Sequence, residues 1–190
     1  EVAHGLGMLL HVDGARIANA AASLGVGLRE LTTEAGADVL SFGATKNGGL
    51  VGDAVVFLKP GLDEAFEFIR KQGMQLASKT RFLSAQLEAQ LGEGDLWRET
   101  AGHANAMARR LGEGVASIGP VDVVHPVEAN GVFARVPRRA IDRLMTDLPG
   151  DHPFYVWDEA ADVVRWLCSW DTTEEDVDGL VEAVRAAVAD

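Results

Sequence analysis

The chain has 190 residues, 47% of them apolar and 24% charged, which excludes a disordered tail and suits one domain or a piece of a larger one. Seventeen basic against 29 acidic residues leave a formal charge of −12, which argues against nucleic-acid binding because phosphate contacts need Lys and Arg. A single cysteine, Cys168, rules out an internal disulfide and a cysteine-based metal cluster, no apolar run reaches a membrane span and no signal peptide is visible, so a reducing cytoplasm is the expected setting.

The opening residues, Glu1-Val2-Ala3 running into His4-Gly5, read as the last turn of a helix closed by a glycine. Sequence preceding Glu1 is therefore expected. Residues 8–12 are short and apolar and predict a buried strand. Residues 15–23 are Ala-rich and predict a helix, and residues 28–35 a short helical stretch leading to Gly36. DVLSF at 38–42 predicts a second buried strand, 43–52 a polar glycine-rich loop, and 54–58 a third strand stopped by Pro60-Gly61. Short apolar strands alternating with helices predict an α/β sheet covered on both faces. Apolar periodicity predicts helices at 62–71, 76–91 and 96–118, the last ended by Gly119-Pro120. Beyond them, strands are expected at 121–124, 131–136, 154–156 and 163–168, and helices at 137–148 and 174–189. Thr173 with Asp176 three residues on makes a capping box for the last helix. The change of character places one domain at 1–95 and a smaller α+β domain at 96–190.

Two segments could carry chemistry. In HVDGAR at 11–16, Asp13 follows the first strand. Ligands in open α/β sheets sit beyond the carboxyl ends of the strands, so Asp13 faces a cleft or else caps the helix that follows. In SFGATKNGG at 41–49, Lys46 lies in a glycine-rich loop after a buried strand. A partly desolvated lysine there forms Schiff bases; the plainer alternative is an exposed loop lysine. The glycine spacing is neither that of a P-loop nor G-x-G-x-x-G.

Together, HVDGAR and DVLSFGATKNGG resemble the threonine aldolase family of fold-type-I pyridoxal-phosphate (PLP) enzymes. The likeness continues in SKTRFLSAQLEAQL at 78–91, DLW at 95–97, HANAMARRL at 103–111, VEANGVF at 127–133, VVRWLCSW at 163–170 and TTEEDVDGL at 172–180. These segments look like the low-specificity bacterial branch and span nearly the whole chain.

The resemblance implies an α/β chain: part of a PLP-binding large domain, then a small C-terminal α+β domain. It implies that Lys46 forms the Schiff base with PLP and that Asp13 pairs with the pyridine nitrogen, keeping it protonated as an electron sink. Arg16, one turn on from Asp13, would reach the cofactor or the substrate carboxylate. Arg165 would bind the substrate α-carboxylate through its planar fork, unless it is a surface arginine at a strand edge. Lys79 and, less so, Arg81 would approach the cofactor phosphate. Thr45 would hydrogen-bond near the cofactor or to its own loop. The implied reaction cleaves L-threonine or L-allo-threonine, as β-hydroxy-α-amino acids, to glycine and an aldehyde. A β-eliminating lyase or an aminotransferase of the same fold would share the cofactor residues, and an inactive fragment is a third reading. The family's phosphate loop, ring-stacking residue and probable catalytic histidines are expected outside this chain. Small amino-acid substrates, no nucleic-acid or membrane partner and a homodimer or homotetramer follow by the same resemblance. His11 is expected on the opposite strand face from Asp13, packed and not catalytic. His4, His103, His125 and His152 show no metal or triad spacing, no metal is expected, and Cys168 is expected to be inert.

Overall fold

The computed structural model describes residues 1–147 and 154–189; Leu148, the expected end of a helix, and His152 lie outside the described residues. The chain divides into two compact units, Glu1–Ala101 and Gly102–Asp190. The division falls within one long helix.

The first unit begins with a single helical turn, α1 (Val2–Gly5). The left-handed glycine that follows is Gly7, at φ 71°, and not Gly5. Strands β1 (His11–Gly14), β2 (Val39–Gly43) and β3 (Asp53–Phe57) form one sheet in that order. β1 and β2 run parallel, with His11 opposite Val39 and Asp13 opposite Ser41. β2 and β3 run antiparallel, with Ser41 opposite Val55. Between β1 and β2 lie α2 (Ile17–Leu24) and α3 (Leu28–Leu31). Gly25, at φ 68°, closes α2 in the left-handed conformation that glycine adopts without steric cost. After β3 come α4 (Phe66–Gln72), α5 (Thr80–Leu91) and α6 (Leu96–Ala116).

Side-chain alternation sorts this sheet into two faces. Leu40, Phe42, Val12, Ala54 and Val56 pack with Ile17, Leu28, Leu31 and Leu87. Opposite them, His11 and Asp13 are exposed and Val55 is 40% exposed. The helices of this unit cover the Leu40 and Phe42 face of the sheet.

The apolar run at 8–12 is not a buried strand. Met8 and Leu9 are 58% and 53% exposed, and strand pairing starts only at His11. The approach to β1 is set by Asp38. Its Oδ2 accepts the Leu10 N–H at 2.7 Å and meets His4 Nε2 at 2.8 Å. In turn the Asp38 N–H donates to the Leu10 carbonyl at 2.8 Å. The aspartate before β2 thus ties both α1 and the residues entering β1.

The second unit is an antiparallel sheet of β4 (Asp122–Val123), β5 (Gly131–Arg135), β6 (Tyr155–Asp158) and β7 (Val163–Leu167), ordered β4-β5-β7-β6. Helices α7 (Arg138–Asp147) and α8 (Glu174–Ala189) complete it. Val132, Ala134, Val164 and Trp166 pack with Leu111 and Val115 of α6, Ile141 and Leu144 of α7, and Val177, Val181 and Val184 of α8. The buried α8 positions recur at helical spacing, so a single stripe of α8 joins this core. Its start carries a complete capping box: Asp176 N–H donates to Thr173 Oγ1 at 3.1 Å, and Thr173 N–H to Asp176 Oδ2 at 2.8 Å.

Leu10's N–H foremost, then His4, holds the Asp38 carboxyl below its ordinary range. A carboxyl depressed in the folded state stabilises above its unfolded pKa, about 3.9, and loses that contribution as pH falls through its folded value. Asp38→Asn is therefore expected to lower the urea midpoint at neutral pH, with the deficit shrinking once pH drops below about 4. A deficit of equal size at both pH values would show that the charge of Asp38 is not what matters.

Candidate functional site

Asp13 stands at the carboxyl end of β1. Its Oδ1 accepts the Ala15 N–H at 3.0 Å, an Asx turn within the strand exit. It does not cap α2; Arg16 holds that position, without a side-chain cap hydrogen bond. Arg16 is thus the residue before the helix and not one turn into it. Its Nε is buried with no hydrogen-bond partner among the described residues.

Lys46 stands beyond the carboxyl end of β2, in a single 3-10 turn, Thr45–Asn47, closed by Gly48 at φ 96°. The turn is held from behind by its neighbour. Asn47 is buried, and its amide donates to the Trp97 carbonyl at 2.9 Å. Gln90, buried on α5, donates to the Asn47 carbonyl at 2.9 Å. Lys46 itself is exposed, and among the described residues its ammonium has no acidic or carbonyl partner. Thr45 is also exposed, and its hydroxyl makes no hydrogen bond among the described residues.

Parallel pairing puts both strand exits on the same edge of the sheet. They also approach closely. A Cβ on Gly43 would lie 2.8 Å from Ala15 Cα, and one on Gly14 would lie 2.7 Å from the Ser41 carbonyl oxygen. Only glycine fits at either contact. An acid and an amine that are distant in sequence are thus brought to adjoining turns.

His11 shares the face of Asp13, two residues on, contrary to the expectation of opposite faces; strand side chains repeat every second residue. Its Nε2 meets Ser41 Oγ at 2.9 Å. Lys79 is the residue before α5, exposed and without a partner among the described residues. Arg81 lies over the ring of Phe82, 4.7 Å from its centroid.

Arg165 lies in the second unit, midway along β7. Phe133 of β5 and Tyr155 of β6 flank it in register. The guanidinium lies 4.9 Å from the Tyr155 ring centroid and 4.5 Å from that of Trp157. Its Nε is buried with no hydrogen-bond partner among the described residues. Arg110, by contrast, pairs with Asp178 at 2.7 Å and Glu174 at 3.1 Å. The sequence neighbours Val164 and Trp166 turn to the opposite, core face. Tyr155 and Trp157 stand two residues apart, the spacing that puts strand side chains on one face and the one signal of this pair in the linear chain. Burial pushes the Cys168 thiol up to about 11, in keeping with an inert cysteine.

The family model for the beta-eliminating lyases matches residues 1–138. The chain belongs to that family. Over 184 residues it is 45% identical to the low specificity L-threonine aldolase of Pseudomonas sp. (strain NCIMB 10558), covering 97% of this chain and 52% of the relative. Its fold matches that of a solved Leishmania major threonine aldolase with a TM-score of 0.84 at 28% identity, over 97% of this chain and 53% of that one. A rice protein solved with PLP and tryptamine matches at a TM-score of 0.68 and 16% identity, over 99% of this chain and 43% of that one, a likeness of fold alone. The chain spans about half the length of the relatives it matches. The expected α/β fold, that of threonine aldolase and fold type I, is borne out.

A methyl group at Gly43 would meet backbone that has nowhere to go. Gly43→Ala is expected to cost about 1–3 kcal/mol in urea unfolding. Gly102→Ala, where a Cβ meets nothing within 4 Å, is the control and should be neutral or stabilising. Equal stability of the two variants would refute the close approach of the strand exits.

Proposed function

We propose that the protein is a PLP-dependent aldehyde-lyase that cleaves L-threonine, L-allo-threonine and related β-hydroxy-α-amino acids to glycine and an aldehyde. The observation that carries this reading is the parallel pairing of β1 with β2, which brings the turns bearing Asp13 and Lys46 to one edge of the sheet. Membership of the beta-eliminating lyase family and the 45% identity to a protein named low specificity L-threonine aldolase support it.

The residues fit PLP. The Lys46 ammonium has no protein partner among the described residues, so its amine is available for a carbonyl carbon. Asp13 commits Oδ1 to Ala15 and leaves Oδ2 for a cationic N–H. Arg16 carries a buried Nε without an acceptor among the described residues. When bound, PLP supplies an electron sink for the charge left when the Cα–Cβ bond breaks.

Each residue then has a defined task. Lys46 would anchor the cofactor through its amine. The Asp13 carboxylate would hold the ring N–H and favour its protonated form. Arg165 takes the substrate α-carboxylate with two parallel N–H donors, and Arg16 adds a second positive charge for cofactor or substrate. Thr45, with an unengaged hydroxyl, and Lys79, with an unengaged ammonium, contact the polar periphery of the cofactor. By the same resemblance, residues 1–95 belong to the cofactor-binding domain and 96–190 to the small one. The assembly is a homodimer or homotetramer in the cytoplasm.

Borohydride reduction of the intact protein with PLP is expected to fix a covalent adduct on Lys46, located by peptide mass mapping. Lys46→Ala should abolish the adduct and lower threonine turnover by about a thousandfold or more. An adduct on another lysine, or none, would sink the cofactor assignment. Pyruvate from a β-substituted amino acid in place of glycine from threonine would instead favour a β-eliminating reaction on the same residues.

A further inference from the structure

Arg165 lies against two aromatic rings, where Arg81 and Arg98 each lie over one. Most arginines of this acidic chain that make ion pairs do so at the surface: Arg29 with Glu34, Arg110 with Glu174 and Asp178, Arg135 with Asp122, Arg185 with Glu182. Arg165 has no carboxylate among the described residues, although acidic residues outnumber basic ones 29 to 17. Its surroundings are aromatic. Tyr155 and Trp157 are the two rings within cation–π distance, at 4.9 and 4.5 Å. Trp157 is itself braced edge-on by Phe133, with ring centroids 5.4 Å apart at 77°. Phe133 is braced in turn by His125, at 5.6 Å and 73°.

The row has a simple origin in the sheet. Phe133, Arg165 and Tyr155 are register partners across β5, β7 and β6. Val132, Val164 and Trp166 occupy the opposite face and the core. The aromatic row therefore does not support the core from within; it lies on the sheet's other side. Tyr155 and Trp157 are each 55% exposed, so the rings are not buried for their own sake.

Rings stacked on a guanidinium occupy its flat faces and leave its N–H edge free in the plane. A carboxylate binds that edge, through two parallel hydrogen bonds. A ring contributes no competing acceptor, so the charge is held in place without being neutralised. We infer that Tyr155 and Trp157 are positioning residues that clamp Arg165 for in-plane recognition of a carboxylate, braced through Phe133 and His125. The inference rests on the assignment of Arg165 to the substrate carboxylate.

The test uses the intact, PLP-loaded protein and three readouts. Tyr155→Leu and Trp157→Leu should each raise KM for threonine by about tenfold, the scale of a partly desolvated cation–π contact, and change kcat by less than about threefold. Trp157→Phe should restore KM to within about threefold of wild type, because it returns a ring face. The ratio of glycine to glycinamide affinity, followed by the cofactor's visible absorbance, should fall in the leucine variants, because only glycine offers the carboxylate. The Nε–H resonance of Arg165 in protein labelled at arginine should move toward its unshifted position in Trp157→Leu and not in Trp157→Phe, in the protein without cofactor as well. Arg165→Ala separates the two layers of the argument. If it raises KM while the leucine variants leave KM and the glycine ratio at wild-type values, the clamp is refuted and the carboxylate assignment stands. If Arg165→Ala leaves KM unchanged, both fall.

Discussion

The constraint on which the first unit depends is the parallel pairing of β1 with β2. A parallel pair ends both strands on one edge, so the turns that leave them lie side by side. Asp13 leaves β1 and Lys46 follows β2, with Asp13 level with Ser41 in the ladder. Gly14 and Gly43 let the exits touch, since a Cβ at either would meet backbone atoms under 3 Å away. Behind the Lys46 turn, the Asn47 amide and the Gln90 amide hold the backbone to α5 and to the start of α6. This edge is therefore held by hydrogen bonds where it is backbone and exposed at the Asp13 and Lys46 side chains.

The second unit solves a different problem. Its helices cover one face of an antiparallel sheet, and on the other face a row of aromatics surrounds Arg165. Surface ion pairs such as Arg135–Asp122 contribute little to stability in water. A carboxylate beside Arg165 would, however, compete with any incoming anion. Aromatic rings orient the guanidinium without that competition. Arg16, Arg70 and Arg165 each have a buried Nε with no hydrogen-bond partner among the described residues.

Much of this was legible in the linear chain, for identifiable reasons. α8 was read in full because its buried residues recur at helical spacing and Thr173 and Asp176 cap its start. β2 was read because DVLSF is a short apolar run that the sheet covers on its Leu40 and Phe42 side. The run at 8–12 was misread because apolar character marks what would gain from burial, not what is paired; pairing begins where Asp38 fixes the chain. Three short apolar strands look alike whether one face is covered or two, so the linear chain does not separate the cases.

The sequence by itself determined the types of residue available for chemistry and the family to which the chain belongs. The motifs around Asp13, Lys46 and Arg165 are local strings, and local strings survive in a one-dimensional reading. Only the tertiary structure decided what those residues meet. That Asp13 ends on the same sheet edge as the Lys46 turn, that His11 shares its face and touches Ser41, and that Arg165 lies against Tyr155 and Trp157 are matters of strand register. Register is set by hydrogen bonds and packing between segments far apart in the chain, so no single segment contains it.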